Sequence, residues 1–345
     1  MFESLGFENY TAPQVAVGFA LLIGLVYGVL AERTGFCLRR SLIGEDRRAA
    51  AGVWLSALVV ALLGTQAIAQ AGLIDFGEHR FFAADLPLLA IVVGGLLFGA
   101  GMVLARGCAS RLTVLTGTGN LRALTVILVF ALTAHATLKG VLSSLRTGLG
   151  SVTLPLESAT LPGTPLLWTA LIAVAAIAVI LRSGNRPRAL LGGALIGALV
   201  PLAWVGTGYV LYDDFDPIAL QGLSFTAPAA DTLFFTAAST AVSANFGIGL
   251  IGGVVVGSLI ASLAFGSFRW QSFTAPAETG RYLFGAVLMG FGGVLAGGCT
   301  VGAGLSGIPT LSLSALAAIA SIVVGTLATQ RLLNAAPRGA AVPAE

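Results

Sequence analysis

The most informative part of the chain is Leu295-Ala-Gly-Gly-Cys-Thr-Val-Gly-Ala-Gly-Leu-Ser-Gly307, in which glycines surround a single cysteine. Five of these thirteen residues are glycine, and they directly follow an apolar run long enough to cross a bilayer. A glycine inside a helix costs roughly 1 kcal/mol relative to alanine, so a continuous helix is disfavoured here. Non-helical backbone survives at membrane depth only where it is packed in protein or lines a polar cavity. The sequence therefore predicts a helix that is broken inside the membrane.

The composition is that of a polytopic, all-α membrane protein. Of the 345 residues, 57% are hydrophobic and 10% are charged, and the mean hydropathy is +0.95. Segments of about 20 apolar residues can cross ~30 Å of hydrocarbon. The apolar runs are continuous rather than alternating, which argues against a transmembrane β-barrel. We predict nine spans, over residues 14–31, 49–70, 86–105, 120–141, 166–182, 188–209, 245–264, 280–296 and 312–333.

The positive charges predict the side of the membrane on which each loop lies. With the N-terminus outside, 15 of the 18 Lys and Arg residues fall in inner loops or in the C-terminal tail, and only Arg80, Lys139 and Arg146 lie outside. The positive-inside rule therefore favours an outer N-terminus and an inner C-terminus. No Lys or Arg precedes Arg33, which argues against a cleaved signal peptide. The tail from Asn334, rich in Ala and Pro, is expected to be disordered.

An internal repeat relates the glycine-rich break to a second one. Residues 97–108 align without gaps on residues 288–299, at an offset of 191, and the two segments end at Cys108 and Cys299. With nine spans the chain divides into four, one and four, so the single connecting span turns the second unit upside down. We predict a first repeat over residues 1–165, a connecting span over 166–187, an inverted second repeat over 188–333 and a tail over 334–345.

The breaks predict a substrate path. Inverted repeats with interrupted helices are typical of transporters whose site lies near the bilayer midplane. By the same division Gly35-Phe36-Cys37 corresponds to Gly222-Leu223-Ser224. Re-entrant half-helices that begin after such motifs aim free N–H groups, and about half a positive charge, at the path, which favours small anions. The predicted path residues are Cys37, Cys108, Cys299, Gly107, Gly298, Thr300, Ser224, Arg106 and Arg111.

Each of these residues also has a purely structural interpretation. A lone cysteine in a membrane helix is usually a small apolar filler, and it is the repeat that argues for more at the two Gly-Cys pairs. The arginines of the first inner loop are better explained as topology determinants, whereas Arg106 and Arg111 fit either topology or attraction of anions to the inner mouth. His135 and Lys139 share a helix face, where a snorkelling pair is a better explanation than proton coupling.

Three separated motifs carry a family resemblance, Gly-Phe-Cys-Leu-Arg-Arg at 35–40, Ala-Arg-Gly-Cys-Ala at 105–109 and Ala-Gly-Gly-Cys-Thr-Val-Gly at 296–302. Over nearly the whole chain they resemble the YeeE/YedE family of thiosulfate transporters of bacterial inner membranes. The resemblance implies an hourglass-shaped helical protein in which the three cysteines line the path and make passing S–H contacts to thiosulfate. It also implies a TusA-like cytoplasmic sulfur carrier as a partner, and it includes relatives linked to selenium handling.

Two other classes of protein remain as alternatives. A membrane-embedded thiol enzyme, a sulfurtransferase or a quinone-linked oxidoreductase, would form persulfides or disulfides, but the three cysteines form no CxxC pair and have no adjacent base. A scaffold subunit would use the glycines for packing alone, which leaves the cysteine repeat unexplained. We predict a transporter with no catalytic residue, metal, cofactor or nucleic-acid partner. The sequence leaves open thiosulfate, sulfite, sulfide or a selenium compound as substrate, and channel-like or ion-coupled movement.

Overall fold

A computed structural model describes residues 10–213 and 217–335. These residues form thirteen α-helices and one two-stranded sheet. The long helices are α1 (Ala12–Thr34), α3 (Arg47–Gln70), α4 (Leu88–Leu104), α6 (Leu121–Lys139), α8 (Pro165–Leu181), α9 (Pro187–Val205), α11 (Phe246–Ala264), α12 (Pro276–Leu295) and α13 (Leu313–Ala335). The short elements are α2 (Leu38–Ile43), α5 (Ala109–Gly117), α7 (Ser143–Gly150), α10 (Thr226–Ala237), β1 (Asp85–Leu86) and β2 (Leu154–Pro155). Gly206–Val210 and Thr300–Gly307 are π-helical, and Arg80–Phe82 and Ile308–Thr310 are 3₁₀-helical.

The nine long helices confirm the prediction of an all-α polytopic membrane protein. Eight helical segments of at least 18 residues, some of them running on through a break, are apolar and long enough to cross a bilayer. The ninth, α8, has 17 residues and is the predicted connecting span. Each of the nine predicted spans overlaps one of these helices to within a few residues. Long apolar runs set these elements, and composition was therefore enough to find them.

The long helices pack in related pairs. α1 lies along α11, and α3 lies along α9. α4 packs against α12 and α13, and α12 packs against α4 and α6. α8 lies to one side, against α3. If the predicted repeat relates α1, α3, α4 and α6 to α9, α11, α12 and α13, the pair α1–α11 corresponds to α9–α3 and the pair α4–α13 corresponds to α12–α6.

Two glycine motifs bring α1 and α11 into backbone contact. A Cβ at Gly24 or Gly28 on α1 would overlap a backbone oxygen of α11. The reverse holds for Gly253 and Gly257, where a Cβ would overlap a backbone oxygen of α1. Small residues at such a seam let membrane helices approach closely. Tyr27 lies on α1 within its motif and is 1% exposed.

Hydrogen bonds between loops gather the helix ends at two faces. One face holds the pairs Asn120–Gln271, Arg122–Glu278, Glu32–Ser267 and Ala49–Asn185. The other holds Gln66–Pro309, Phe81–Ser312 and the antiparallel pair β1–β2. The residues of the first group lie in loops predicted to be inside or at the helix ends beside them. Those of the second group lie in loops predicted to be outside, apart from Gln66, which is near the end of α3. Successive loops therefore lie at opposite faces of the protein, as nine successive membrane spans require.

Two helices end differently from the prediction. α13 continues through Asn334 to Ala335, two residues into the predicted tail, and residues 336–345 lie outside the described part of the chain. α9 contains Pro201, which lacks an N–H donor, and it runs into the π-helical turn Gly206–Val210. In the acidic loop that follows this turn, residues 214–216 lie outside the described residues.

Candidate functional site

The three cysteines occupy the same position in three helix breaks. Each is the extended N-cap residue of the short helix that follows it, α2 after Cys37, α5 after Cys108 and the π-helical segment after Cys299. Two residues earlier the backbone is left-handed, with φ of 62° at Gly35, 55° at Arg106 and 71° at Gly297. A left-handed residue ends an α-helix, and an extended residue begins the next. The backbone of each break thus places a thiol at a helix N-terminus.

The residue between the left-handed position and the cysteine is a closely packed glycine in two of the breaks. A Cβ at Gly107 would lie 3.0 Å from Cδ2 of Leu112, and one at Gly298 would lie 2.9 Å from the backbone nitrogen of Ala303. Both glycines are buried. Because these glycines have no side chain, α5 and the π-helical segment can each pack directly on the break that precedes it. The two predicted site residues therefore have a structural role.

The fourth predicted break begins α10, with a different register. The N-cap of α10 is Phe225, so Ser224 lies one residue before the position that Cys37 holds ahead of α2. Ser224 nevertheless reaches the other breaks, because its Oγ lies 2.9 Å from the position of a Cβ at Gly302. The serine therefore lies beside the π-helical segment that follows Cys299.

The three thiols come together in the protein core. Cys37 is 8% exposed, Cys108 is 1% exposed and Cys299 is fully buried. The side chains of Cys37 and Cys108 lie close enough to influence each other's charge. Cys108 Sγ lies 3.3 Å from Ser110 Oγ, and the side chain of Thr300, the residue after Cys299, is also close to it. All three cysteines are free thiols and belong to one hydrophobic cluster. Three segments far apart in sequence therefore deliver their thiols to a single place.

Tyr27 is a member of this thiol cluster that sequence analysis missed. Its hydroxyl lies close to the Ser110 side chain and within electrostatic range of all three thiols. Its ring packs between Phe36 and Phe225, at centroid distances of 6.3 and 5.3 Å. The close α1–α11 seam holds the tyrosine in place. A tyrosine inside an apolar helix carries no sequence signal of this position, because the residues that it contacts lie on other segments.

The arginines on the predicted inner side differ in how close they lie to the thiols. Arg111 donates from Nη1 to the carbonyl oxygen of Ala31 at 3.2 Å and lies within electrostatic range of Cys37. Arg39, which the sequence assigned to topology, also lies within range of Cys37, and its buried Nε has no hydrogen-bond partner among the described residues. Arg106 is exposed, and its left-handed backbone terminates α4. Arg39 and Arg111 therefore supply the positive charge beside the thiols.

A cavity of about 850 Å³ opens on the predicted outer side. Its wall is formed by residues 74–81, by the π-helical turn Gly206–Val210 and by residues 217–228. Ser224 and Gly302 are part of its lining. The backbone N–H of Gly302 donates to Cys299 Sγ at 3.4 Å, so the cavity ends one contact away from the Cys299 thiol.

Two polar residues of this cavity were not identified as site residues from the sequence. Arg80 is exposed within it and lies in electrostatic range of Cys299. His79 packs edge to face on Trp204, with ring centroids 5.2 Å apart, and its Nδ1 accepts from the N–H of Phe81 at 3.3 Å. Burial, reinforced by the neighbouring Arg80 charge, lowers the pKa of His79 to about 4, so the imidazole is neutral at pH 7. The neutral ring therefore carries its proton on Nε2.

His135 and Lys139, the pair predicted to share a face of α6, lie next to α10. The His135 ring stacks on Phe234, with centroids 3.3 Å apart and an interplanar angle of 16°. Lys139 and Asp231 lie within electrostatic range of the imidazole. The aromatic stack gives this histidine a packing role between α6 and α10.

The fold and its core together define a class of protein. Long apolar helices span a bilayer, and helices that end at buried, glycine-dependent breaks meet at the centre, as in multi-pass membrane proteins with interrupted helices. Comparison with known proteins identifies the group within this class. Residues 33–328 match the sequence model of the Sulphur transport family, and the chain belongs to that family.

Two curated relatives extend this comparison. The chain is 30% identical over 318 residues to the thiosulfate transporter TsuA of Escherichia coli K12, a match that covers 83% of this chain and 85% of the relative. It is 27% identical over 327 residues to the thiosulfate transporter TsuA of Spirochaeta thermophila, covering 88% of this chain and 95% of the relative. Each match covers more than four fifths of both proteins, and the family match over residues 33–328 includes every break described above.

Proposed function

We propose that the protein imports thiosulfate, or a closely related small sulfur anion, along a narrow path lined by Cys37, Cys108 and Cys299. Membership of the Sulphur transport family and the names of the two relatives support this proposal. The observation that carries it is the convergence of three free thiols, each at a separate helix break, on one buried cluster. A cysteine that serves only as an apolar filler needs no such convergence.

The chemistry of the cluster suits a soft anion in transit. A thiol is a weak donor with a polarisable sulfur, so it contacts the terminal sulfur of thiosulfate without holding it tightly. Conduction requires sites that are favourable to enter and weak enough to leave. From the outer cavity the anion would meet Ser224 and Cys299, then Thr300 and Cys108, and last Cys37.

Helix ends and side chains supply the positive potential for this passage. The α5 helix and the π-helical segment begin at Cys108 and Cys299, so their free N–H groups lie beside those thiols. On the inner side, Arg39 and Arg111 lie within range of Cys37. These groups favour a negative charge in a core that is otherwise apolar.

We also propose that the chain is an inverted repeat, with the first unit over 1–165, the second over 188–333 and α8 between them. The matched contacts of α1–α11 with α9–α3, and of α4–α13 with α12–α6, support this division. In a bacterial inner membrane, the N-terminus would then lie outside and the C-terminus inside. A TusA-like sulfur carrier would take the substrate at the inner face. The relatives are named as transporters, and on that basis we propose that the thiols do not turn over covalently.

Uptake of radiolabelled thiosulfate into proteoliposomes tests the proposal. Cys108→Ala and Cys299→Ala each remove one contact from the path, and we expect uptake to fall at least tenfold in each. The serine variants keep a hydrogen-bond donor of similar size and should retain more activity than the alanine variants. Selenosulfate and sulfite, offered in the same assay, establish the substrate range.

A matched control separates loss of the path from loss of folding. Ser56→Ala alters a buried hydroxyl at the α3–α9 contact, which bonds Val53 and Leu190 backbone oxygens, and it should leave uptake close to that of the wild type. Unchanged uptake in both cysteine-to-alanine variants would contradict the thiol path. The absence of uptake of any small sulfur anion by the wild type would contradict the transport function itself.

A further inference from the structure

Arginines from two predicted inner loops gather at one corner of the fold. The loop before α3 and the loop between α8 and α9 are joined by Asn185 Nδ2, which donates to the carbonyl oxygen of Ala49 at 2.8 Å. An open cavity of about 390 Å³ lies at this junction and is lined by residues 45–49 and by Ser183. Five exposed arginines flank the junction and are called the arginine patch here: Arg47, Arg48, Arg182, Arg186 and Arg188.

The arginine patch is not neutralised by the protein itself. None of its five members forms an ion pair within the residues that the structure describes. Of the two carboxylates that line the cavity, Asp46 is paired with Arg40, which is not part of the patch, and Glu45 is exposed to solvent. Five arginines therefore face a single free carboxylate, and the corner keeps a large positive charge.

The helix ends at this corner add to the positive potential. α3 and α9 both begin here, and neither has an acidic residue in its first turn or a side-chain hydrogen bond from its N-cap residue. The N-terminus of a helix carries a partial positive charge, which favours anions and disfavours cations. The positive-inside rule explains on which side the arginines lie, but it does not require them at positive helix ends. A bound anion would remove this repulsion.

An apolar surface leads directly from the arginine patch into the membrane. α8 ends at Leu181, which is 80% exposed and immediately precedes Arg182. α8 packs against α3, and Leu171 and Val174 are among its exposed apolar side chains. A molecule with an anionic head and apolar chains matches both the patch and this helix surface. A soluble acidic protein or free phosphate would match only the charges.

We propose that the arginine patch binds the phosphate headgroup of an anionic phospholipid of the inner leaflet, whose acyl chains lie along α8. Guanidinium groups present paired donors that match phosphate oxygens, and basic clusters at the cytoplasmic ends of membrane helices attract anionic lipids. A lipid with two phosphates, such as cardiolipin, can contact the arginines of both loops and should bind more tightly than phosphatidylglycerol, which has one. The bound lipid would hold the inner end of α8 against α3. This site is separate from the thiol path.

Native mass spectrometry of the purified, detergent-solubilised protein tests the lipid site. We expect the affinity to fall in the order tetraoleoyl cardiolipin, dioleoyl phosphatidylglycerol and dioleoyl phosphatidylcholine. The double variants Arg47→Gln with Arg48→Gln, and Arg186→Gln with Arg188→Gln, should each weaken cardiolipin binding roughly twentyfold, because one arginine near an anionic lipid surface contributes about fivefold. The corresponding lysine variants keep the charge and should bind within about threefold of the wild type.

A matched control removes the same number of charges elsewhere. Arg269→Gln with Arg331→Gln changes two exposed arginines on the same predicted face, away from the cavity, and it should bind cardiolipin like the wild type. Cardiolipin should also raise the melting temperature of the wild type and of this control, and it should raise that of the two glutamine variants much less. Equal affinity of the wild type for all three lipids, or an equal loss of binding in the control, would overturn the lipid site.

Ligands without acyl chains distinguish a lipid from a soluble anion. Inorganic phosphate and glycerophosphoglycerol should compete with cardiolipin at least a hundredfold more weakly than phosphatidylglycerol does. Competition as strong as that of phosphatidylglycerol would show a site for a soluble anion and would overturn the lipid assignment. The lysine variants and the wild-type order of the lipids decide the question even if a glutamine variant fails to fold.

Discussion

Two of the helix breaks place different residues at the same left-handed position, which allows the backbone to be tested apart from the thiols. Gly297 precedes Cys299, with φ of 71°, and Arg106 takes the equivalent position before Cys108, with φ of 55°. Gly297→Ala introduces a side chain where glycine is favoured, and Arg106→Gly removes one where glycine would be favoured. The two substitutions are opposite perturbations of one backbone geometry.

The structure sets the size of the expected effects. A Cβ at Gly297 would have no neighbour within 4 Å, so the alanine variant measures the conformational cost without a steric clash. The left-handed region costs a residue with a side chain about 1–2 kcal/mol, and alanine recovers roughly 0.5–1 kcal/mol because it loses less entropy than glycine on folding. Gly297→Ala should therefore lower the free energy of unfolding by about 0.5–1 kcal/mol, and Arg106→Gly should raise it by a comparable amount.

Reversible unfolding in mixed detergent micelles measures both changes, and thiosulfate uptake is recorded on the same preparations. We expect stability shifts of opposite sign. Arg106→Gly should also keep uptake within twofold of the wild type, because Arg39 and Arg111 are the arginines beside the thiols. Shifts of the same sign would refute the conformational argument. A large loss of uptake in Arg106→Gly would show instead that the Arg106 side chain attracts the anion.

Two further predictions concern side chains that the sequence did not single out. Tyr27→Phe removes a buried hydroxyl from the thiol cluster. Because one hydrogen bond contributes about 1 kcal/mol, the rate of uptake should fall roughly fivefold, while the detergent-solubilised protein should still elute as a single monodisperse species. An unchanged rate of uptake would show that the Tyr27 hydroxyl is not part of the path. His79 has a folded-state pKa of about 4, below its ordinary value of 6.5. As the pH drops from 6.5 toward 4, the unfolded state binds the proton before the folded state does. The free energy of unfolding should therefore fall over this range. Melting temperatures in detergent across this range check the effect, and a wild-type slope equal to that of His79→Gln would contradict it.

The parts of the fold that could be predicted are those set by local sequence. Nine apolar runs gave nine long helices, because burial in hydrocarbon needs only length and composition. The cluster of glycines around Cys299 predicted a break, because glycines weaken a continuous helix. The gapless match of 97–108 with 288–299 found two of the three cysteine breaks at their equivalent positions.

The parts that could not be predicted depend on contacts between distant segments. Nothing local reveals that Tyr27 reaches Ser110, or that residues 79–82 turn back over the π-helical segment and place Arg80 near Cys299. The register of α10 also differed by one residue, since a serine can lie ahead of an N-cap as easily as at it. Arg106 was grouped with Arg111 because both flank Cys108 in sequence, but its left-handed backbone leaves its side chain exposed.

The seam between α1 and α11 has a consequence for the rate and the temperature dependence of passage. Because backbone meets backbone there, the wall that carries Tyr27 cannot move outward without separating two whole helices. A path with a rigid wall cannot widen to admit a hydrated ion. Under the proposed function, each anion must therefore exchange its water for the thiols and the Tyr27 hydroxyl at the narrowest point. The barrier is then mainly one of dehydration, which makes throughput steeply dependent on temperature and slow compared with a water-filled pore.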